Sequence, residues 1–231
     1  MNTKFRAQIE TYKDFWGTFS SLSTEPPNIL EAEKYLEKYA ISNASYEEDW
    51  KELHNSVFDL SKRLPDMIFK KKFTFISLLG GGMFEEKDFE QFKTCLRELG
   101  ESSFVIIQDT LALEQEGEIA ALNMHYPVDI SWDEIMSGSF ISIAVMDSYL
   151  DDYYLFGTSG EWGMYVANTY IDTDVDPAGS PIQIIGFNPK YRDIFRTNFK
   201  IPNDQYCENL DYIPEEERPD LKEWVPKIYR K

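Results

Sequence analysis

Basic residues are missing from the middle of this chain. No Lys or Arg occurs between Arg97 and Lys190, whereas those 92 intervening residues contain 16 Asp or Glu. Nearly all of the net charge of −18 at pH 7 therefore comes from this segment. Phosphate binding requires Lys and Arg, so the segment argues against nucleic acid as a partner and favours a basic protein. Plain solubility is the alternative explanation of the excess charge.

The chain also lacks the features of secreted and membrane proteins. Its two cysteines, Cys95 and Cys207, lie far apart and provide neither a disulfide framework nor metal-ligand spacing. No apolar run approaches the roughly 20 residues of a membrane span, and the N-terminal residues contain no apolar signal-peptide segment. We therefore expect a cytoplasmic protein that does not enter membranes.

Motifs for catalysis and cofactor binding are scarce as well. His54 and His125 have no Cys or Asp at ligand spacing, so we expect both to be structural, and a serine triad would have little support. The glycine run at 80–82 lacks the spacing and the lysine of a phosphate-binding loop. We expect no cofactor and no resident metal.

One acidic run has part of the pattern of a calcium loop. Asp172, Asp174 and Asp176 stand at alternate positions, where the first three oxygen ligands of such a loop would lie. The sixth position is Pro177 instead of Gly, and the twelfth is Gln183 instead of a bidentate Glu. The run is therefore interpreted mainly as a solvated loop. Because its three aspartates repel one another, a cation or a basic partner bound there would relieve the repulsion.

The first hundred residues have the periodicity of amphipathic helices. Four stretches predict helices, with Asn28 and Ser45 as N-caps, Pro65 as the end of the third helix and Gly100 as the C-cap of the fourth. Residues 67–84 are ambiguous between a strand and a short buried helix. The predicted apolar faces consist of Phe5, Ile9, Tyr12, Trp16 and Phe19; Ile29, Ala32, Leu36 and Tyr39; Trp50, Leu53, Val57, Leu60 and Leu64; and Phe89, Phe92, Leu96 and Leu99.

After Gly100 the pattern changes to strands. Predicted strands cover 104–107, 141–146, the two arms of a hairpin at 153–156 and 162–168, and 182–187. A short helix is predicted to begin at Ser131, a last one after Asn188, and a loop or weak strand pair at 111–126.

This order of elements predicts the α+β class. We expect an N-terminal helical layer packed on a mostly antiparallel sheet that the C-terminal half forms. The expected regions are a helical part (1–80), an α+β sheet part (81–201) and a C-terminal surface tail (202–231), within one continuous globular unit.

Both faces of the predicted hairpin are apolar. Tyr154 and Phe156 alternate with Tyr153 and Leu155, so neither side of this arm presents a polar surface. In one interpretation the hairpin is central in the sheet and is covered by helices on one face and by the C-terminal segment on the other. In a second interpretation one side of the hairpin contacts a partner. The second interpretation predicts these partner-binding residues: Asp151, Asp152, Tyr153, Glu161, Trp162, Tyr165, Asp172, Asp174 and Asp176.

A carboxylate-based hydrolase or a carbohydrate-binding module is the alternative function. Asp151, Asp152 and Glu161 surround the aromatic hairpin, and paired carboxylates beside aromatic rings suit sugar chemistry. This alternative predicts a concave pocket that holds Trp162 or Tyr165 beside two acids.

Three stretches resemble a group of bacterial proteins. YPVDISWDEIMSGSFIS (126–142), YYLFGTSGEWGMYVAN (153–168) and PIQIIGFNPKYRDIF (181–195) resemble uncharacterised bacterial proteins found as immunity proteins in polymorphic-toxin systems. RLPDMIFKKKFTFISLLGGG (63–82) is similar to the SUKH (yeast cell-wall regulator-like) superfamily in its Leu-Pro and Gly-Gly pairs, and no residue roles are transferred from it. The first resemblance implies a small cytoplasmic inhibitor of a toxin. An acidic inhibitor suits a basic, nuclease-like toxin. Oligomeric state is left open.

Overall fold

Helices and one sheet make up the described chain. The structure, a computed structural model, describes residues 3–19, 26–62, 68–79, 84–109, 121–146, 152–167 and 182–199. Helices are α1 (Arg6–Phe19), α2 (Pro26–Tyr39), α3 (Asn43–Ser45), α4 (Lys51–Val57), α5 (Glu86–Leu99), α6 (Trp132–Ile135), α7 (Phe140–Met146) and α8 (Arg192–Phe199). Strands are β1 (Thr74–Leu79), β2 (Ser103–Gln108), β3 (Met124–Pro127), β4 (Tyr153–Gly157), β5 (Trp162–Ala167) and β6 (Ile182–Phe187).

The six strands form one sheet in the order β1-β6-β5-β4-β2-β3. All five neighbouring pairs are antiparallel, which confirms the α+β class with an antiparallel sheet. Strand β1 lies in the region predicted to be helical, and it resolves the ambiguity at 67–84 because residues 74–79 pair with β6. Among the described residues, no helix is both long enough and apolar enough to cross a membrane.

The aromatic hairpin β4–β5 lies at the centre of this sheet and is covered on both faces. Leu155, Trp162 and Met164 belong to the cluster that packs under the helices, whereas Tyr154 and Phe156 belong to a second cluster on the opposite face. That second layer includes Val57, Phe58, Ile68, Phe69 and Phe73. The central position is as predicted, but residues 57–58 and 68–73 supply the second cover. The C-terminal segment from 200 onward lies outside the described residues.

Two predicted elements, a strand and the extent of a helix, are wrong. Residues 141–146 belong to helix α7 instead of a strand, and six of the seven residues of α7 are buried, so its sequence carries no polar face to reveal the helical period. The third predicted helix ends at Val57 instead of Pro65, because Phe58 turns into extended backbone and bridges to Phe69.

The helix N-caps differ in part from those predicted. Ser42, instead of Ser45, accepts a hydrogen bond and begins α3, which continues through a π-helical turn (Tyr46–Trp50) into α4. Helix α2 begins at Pro26, ahead of Asn28. The side chains of the predicted contacts Trp16 and Phe19 lie outside the described residues.

Other helix ends lie where the sequence predicts. Gly100 adopts φ 80° after α5, and Ser131 Oγ accepts from the backbone N–H of Glu134 at 3.1 Å at the start of α6. Asn188 Oδ1 accepts from the backbone N–H of Lys190 at 3.1 Å before α8. These groups satisfy backbone atoms that a helix leaves unpaired.

Candidate functional site

The structure corrects the expected location of the aromatic partner-binding residues. Tyr153, Trp162 and Tyr165 are 0% exposed, and Asp152 is 3% exposed. Side chains enclosed by two packed layers contact no partner at the surface, so these four are core residues. The remaining expected acids, except Glu161, lie outside the described residues: Asp151, Asp172, Asp174 and Asp176.

Trp162 is held by a buried carboxylate. Its Nε1 donates to Glu101 Oε1 at 3.0 Å, and Thr158 Oγ1 donates to Glu101 Oε2 at 2.9 Å. The Ser159 hydroxyl donates to the same carboxylate. A Cβ added at Gly157 would lie 2.5 Å from Glu101 Oε1, so any larger residue there would displace the Glu101 carboxylate from its hydrogen bonds. The hydrogen bonds of Glu101 thus connect the hairpin turn to the end of α5.

Glu161, the half-buried member of the expected set, makes contacts within the chain. Its carboxylate accepts from Asn188 Nδ2 at 2.8 Å and pairs with Lys190 Nζ at 2.9 Å. The hydrogen bond from Lys190 lowers the pKa of Glu161 below its usual value. Glu161 therefore joins the hairpin turn to the segment before α8.

A buried group of two tyrosines and two aspartates lies where β2, β4 and β5 are paired. We call it the Tyr–Asp cluster: Asp109, Asp152, Tyr154 and Tyr165. The Tyr165 hydroxyl lies 2.8 Å from Asp152 Oδ2 and 3.2 Å from Asp109 Oδ2, and the Tyr154 hydroxyl donates to Asp109 Oδ2 at 3.0 Å. Burial, then the charges of Asp152 and Asp109, raises the pKa of Tyr165 far above its usual range, so its hydroxyl stays protonated.

A cavity of about 300 Å³ lies beside the Tyr–Asp cluster. Asp109 and Tyr154 belong to both the cluster and the cavity wall. Tyr46 comes from the π-helical turn, and such turns recur at functional sites. The described residues that line the cavity are Tyr46, His54, Leu60, Ile107, Gln108, Asp109, Asn123 and Tyr154. Four chain segments thus build this cavity at the end of β2.

His54 forms part of the cavity wall and is packed among aromatic rings. It is 2% exposed, its ring stacks on Phe156 at a centroid distance of 5.0 Å, and Nδ1 lies 2.9 Å from the Tyr46 hydroxyl. Nε2 is buried without a hydrogen-bond partner among the described residues. Burial, with a smaller effect of Lys70, lowers the pKa of His54 to about 3. His54 is therefore neutral at pH 7.

The amide side chains of the wall are fixed by hydrogen bonds. Gln108 Oε1 accepts from the backbone N–H of Leu122 at 2.6 Å, and Gln108 Nε2 donates to the Tyr12 hydroxyl at 2.7 Å. Asn123 Oδ1 accepts from the backbone N–H of Gln108 at 3.2 Å. These bonds hold the end of β2 and the start of β3 together, so the wall has a defined shape.

The acids of the base-free segment fall into two groups. Eight lie within the described residues, and most of these are buried or paired. Three are buried: Glu101, Asp109 and Asp152. Three pair with bases from outside the segment: Glu134 with Lys38, Asp129 with Arg97, and Glu161 with Lys190. Consequently, the described surface retains little of the excess negative charge.

The other eight acids occur in segments 110–120, 147–151 and 168–181, which lie outside the described residues. Their described neighbours meet at one end of the sheet. Gln108 is paired with Tyr153, Tyr153 with Val166, and Ala167 with Ile182. Three acid-rich segments are therefore attached to the sheet at the end where the cavity lies.

The described residues bear on two kinds of site, a metal centre and a sugar pocket. Within the described ranges, no group of three or more His, Cys, Asp or Glu is arranged to hold a metal ion. The cavity is lined by Asp109 but not by Asp152, Trp162 or Tyr165. Among the described residues of the cavity wall, Asp109 is therefore the one acid, and the expected rings of Trp162 and Tyr165 lie elsewhere in the core.

The residues that form the cavity were not predicted from the sequence to lie together. Asp109 follows the apolar strand 104–107 directly after Gln108, and a polar pair at the end of a buried strand was a usable signal. Nothing local connects that strand to Tyr46, which lies about 60 residues earlier in the chain.

Comparison with protein-family models, with curated proteins and with solved structures finds no match.

Proposed function

We propose that this chain is a cytoplasmic binding protein of the immunity type, which neutralises a basic, nuclease-like toxin. The observation that carries the proposal is the attachment of three acid-rich segments at one end of a sheet that is packed on both faces. By sequence these segments contain eight of the chain's 41 acidic residues and no Lys or Arg.

The packing supports a scaffold role for the sheet. Five antiparallel pairings and two apolar layers hold the strand ends in place. The aromatic hairpin stabilises this scaffold and does not supply the contact surface. A surface of one sign then accelerates association with a partner of the opposite sign and disfavours acidic partners.

The test measures salt-dependent binding to candidate toxins. Basic proteins encoded beside this chain's gene are titrated calorimetrically at about 50 mM and about 300 mM salt, where screening differs strongly. We expect one of them to bind, with at least about tenfold weaker affinity at the higher salt concentration. Co-expression with this chain should also suppress the toxicity of that protein.

Matched variants localise the interaction. Replacing Asp172, Asp174 and Asp176 by Asn removes three charges from one acid-rich segment. The control removes three exposed acids from the π-helical turn and α4: Glu48→Gln, Asp49→Asn and Glu52→Gln. The first variant should weaken binding and the control should not. Equal effects of the two variants, or a complex insensitive to salt, would contradict the proposal.

A further inference from the structure

The cavity beside the Tyr–Asp cluster has a negative wall. Asp109, which is 4% exposed, is the acidic residue among the described residues that line it, and none of these is a Lys or Arg. The Tyr154 hydroxyl fixes the Asp109 carboxylate, and Asp152 adds a second buried negative charge within the same cluster. The Asp109 carboxylate therefore places a negative charge on the cavity wall, and the positive charge that acts on His54 belongs to Lys70, which is not among the described residues of that wall.

Aromatic rings form a further part of the wall. Tyr46, His54 and Tyr154 all line the cavity, and His54 contacts both tyrosines: its Nδ1 lies 2.9 Å from the Tyr46 hydroxyl, and its ring centroid lies 4.7 Å from that of Tyr154. A carboxylate beside tyrosine rings is a combination that recognises organic cations, through charge-assisted hydrogen bonds and ring electrostatics. Neutral His54 adds no opposing charge.

We propose that this cavity binds one alkylammonium or guanidinium group, with Asp109 as the charged anchor and the rings of Tyr46 and Tyr154 as its walls. A volume of about 300 Å³ is at the lower end of ligand pockets and suits a single side-chain-sized group. The cation belongs either to a Lys or Arg side chain of the basic partner, which rests on the proposed function, or to a free small amine.

The direct test needs no partner protein. Butylguanidinium and butylammonium are titrated into the full chain and followed by protein-observed NMR, with butylurea as the neutral analogue of the same shape. Both cations should bind and shift resonances of residues around the cavity, whereas butylurea should bind at least about tenfold more weakly. Absence of cation binding, or equal binding of butylurea, overturns the proposal.

Three variants distinguish the roles of Asp109 and Tyr46 in cation binding from the general effects of a mutation. Asp109→Asn should weaken cation binding by about tenfold or more. Tyr46→Leu changes a half-buried ring at the cavity wall, which limits its effect on folding, and should weaken cation binding several-fold. Asp133→Asn removes an exposed acid of α6 outside the cavity wall and should leave cation binding unchanged. Equal binding by the wild type and by a folded Tyr46→Leu variant overturns the proposal.

Once cation binding is established, binding experiments with the basic partner show whether the bound cation is a side chain of that partner or a free amine. A complex that Tyr46→Leu and Asp109→Asn weaken, and that butylguanidinium competes with, assigns the cavity to a side chain of the partner. A salt-sensitive complex that neither variant alters assigns the cavity to a free amine. Failure of the cavity test leaves salt-sensitive partner binding intact, so the two proposals fail separately.

Discussion

The buried His54 should make the stability of this protein depend on pH in a defined window. Its pKa falls from 6.5 to about 3 on folding, chiefly because burial disfavours the imidazolium. Below pH 6.5 the imidazole of the unfolded chain binds a proton, whereas in the folded chain it binds a proton only below about pH 3. The free energy of unfolding therefore decreases as the pH falls from 6.5 towards 3.

The expected loss follows from one proton per molecule. Linkage gives about 1.4 kcal/mol per pH unit within the window, so lowering the pH from about 7.5 to about 4.5 costs about 3 kcal/mol from His54 alone. Urea unfolding at several pH values, compared between the wild type and His54→Phe, isolates this contribution from the titration of the carboxylates. Phe suits a site where the ring stacks on Phe156.

The other histidine provides the control. His125 is exposed, and burial lowers its pKa as well, without the enclosure that surrounds His54. His125→Phe should therefore retain most of the pH dependence of the wild type. Parallel pH profiles for the wild type and His54→Phe would refute the assignment of a buried neutral imidazole.

Three further substitutions test the connections of the hairpin. Gly157→Ala places a Cβ against the Glu101 carboxylate and should lower the free energy of unfolding by at least about 2 kcal/mol in urea titrations. Trp162→Phe removes the donor to Glu101 and should cost about 1–3 kcal/mol, measured as a lower urea midpoint with an unchanged slope. Asn188→Ala removes the cap before α8 and the amide bond to Glu161; a loss of about 1 kcal/mol should accompany faster hydrogen exchange in α8.

Elements with a clear period or a clear terminator were predictable from the sequence. Phe89, Phe92 and Leu96 repeat at helical spacing, and Gly100 ends their helix in a left-handed conformation. The hairpin was predictable because each arm alternates at strand spacing, whereas the register that pairs Tyr154 with Tyr165 comes from the structure.

Segments without a period, and contacts between distant segments, were not predictable. Residues 141–146 are apolar at nearly every position, so a helix buried on all sides has the same pattern as a buried strand. The cavity depends on Tyr46 and Asp109, which only the folding of α4 against the sheet brings together. Trp162 and Tyr165 were assigned to an interface because aromatic residues suit both cores and interfaces, and composition does not separate the two.

The order of the strands also governs how the chain must assemble. Strand β1 occupies an edge of the described sheet and pairs with β6, which begins about a hundred residues later along the chain. During synthesis, β1 therefore emerges long before its pairing strand exists, with TFISLL as an apolar, β-prone segment. Closing this pairing requires a contact of high sequence separation, which slows folding. Until β6 has been synthesised, the side of β1 that pairs with it therefore remains open to strands of other chains.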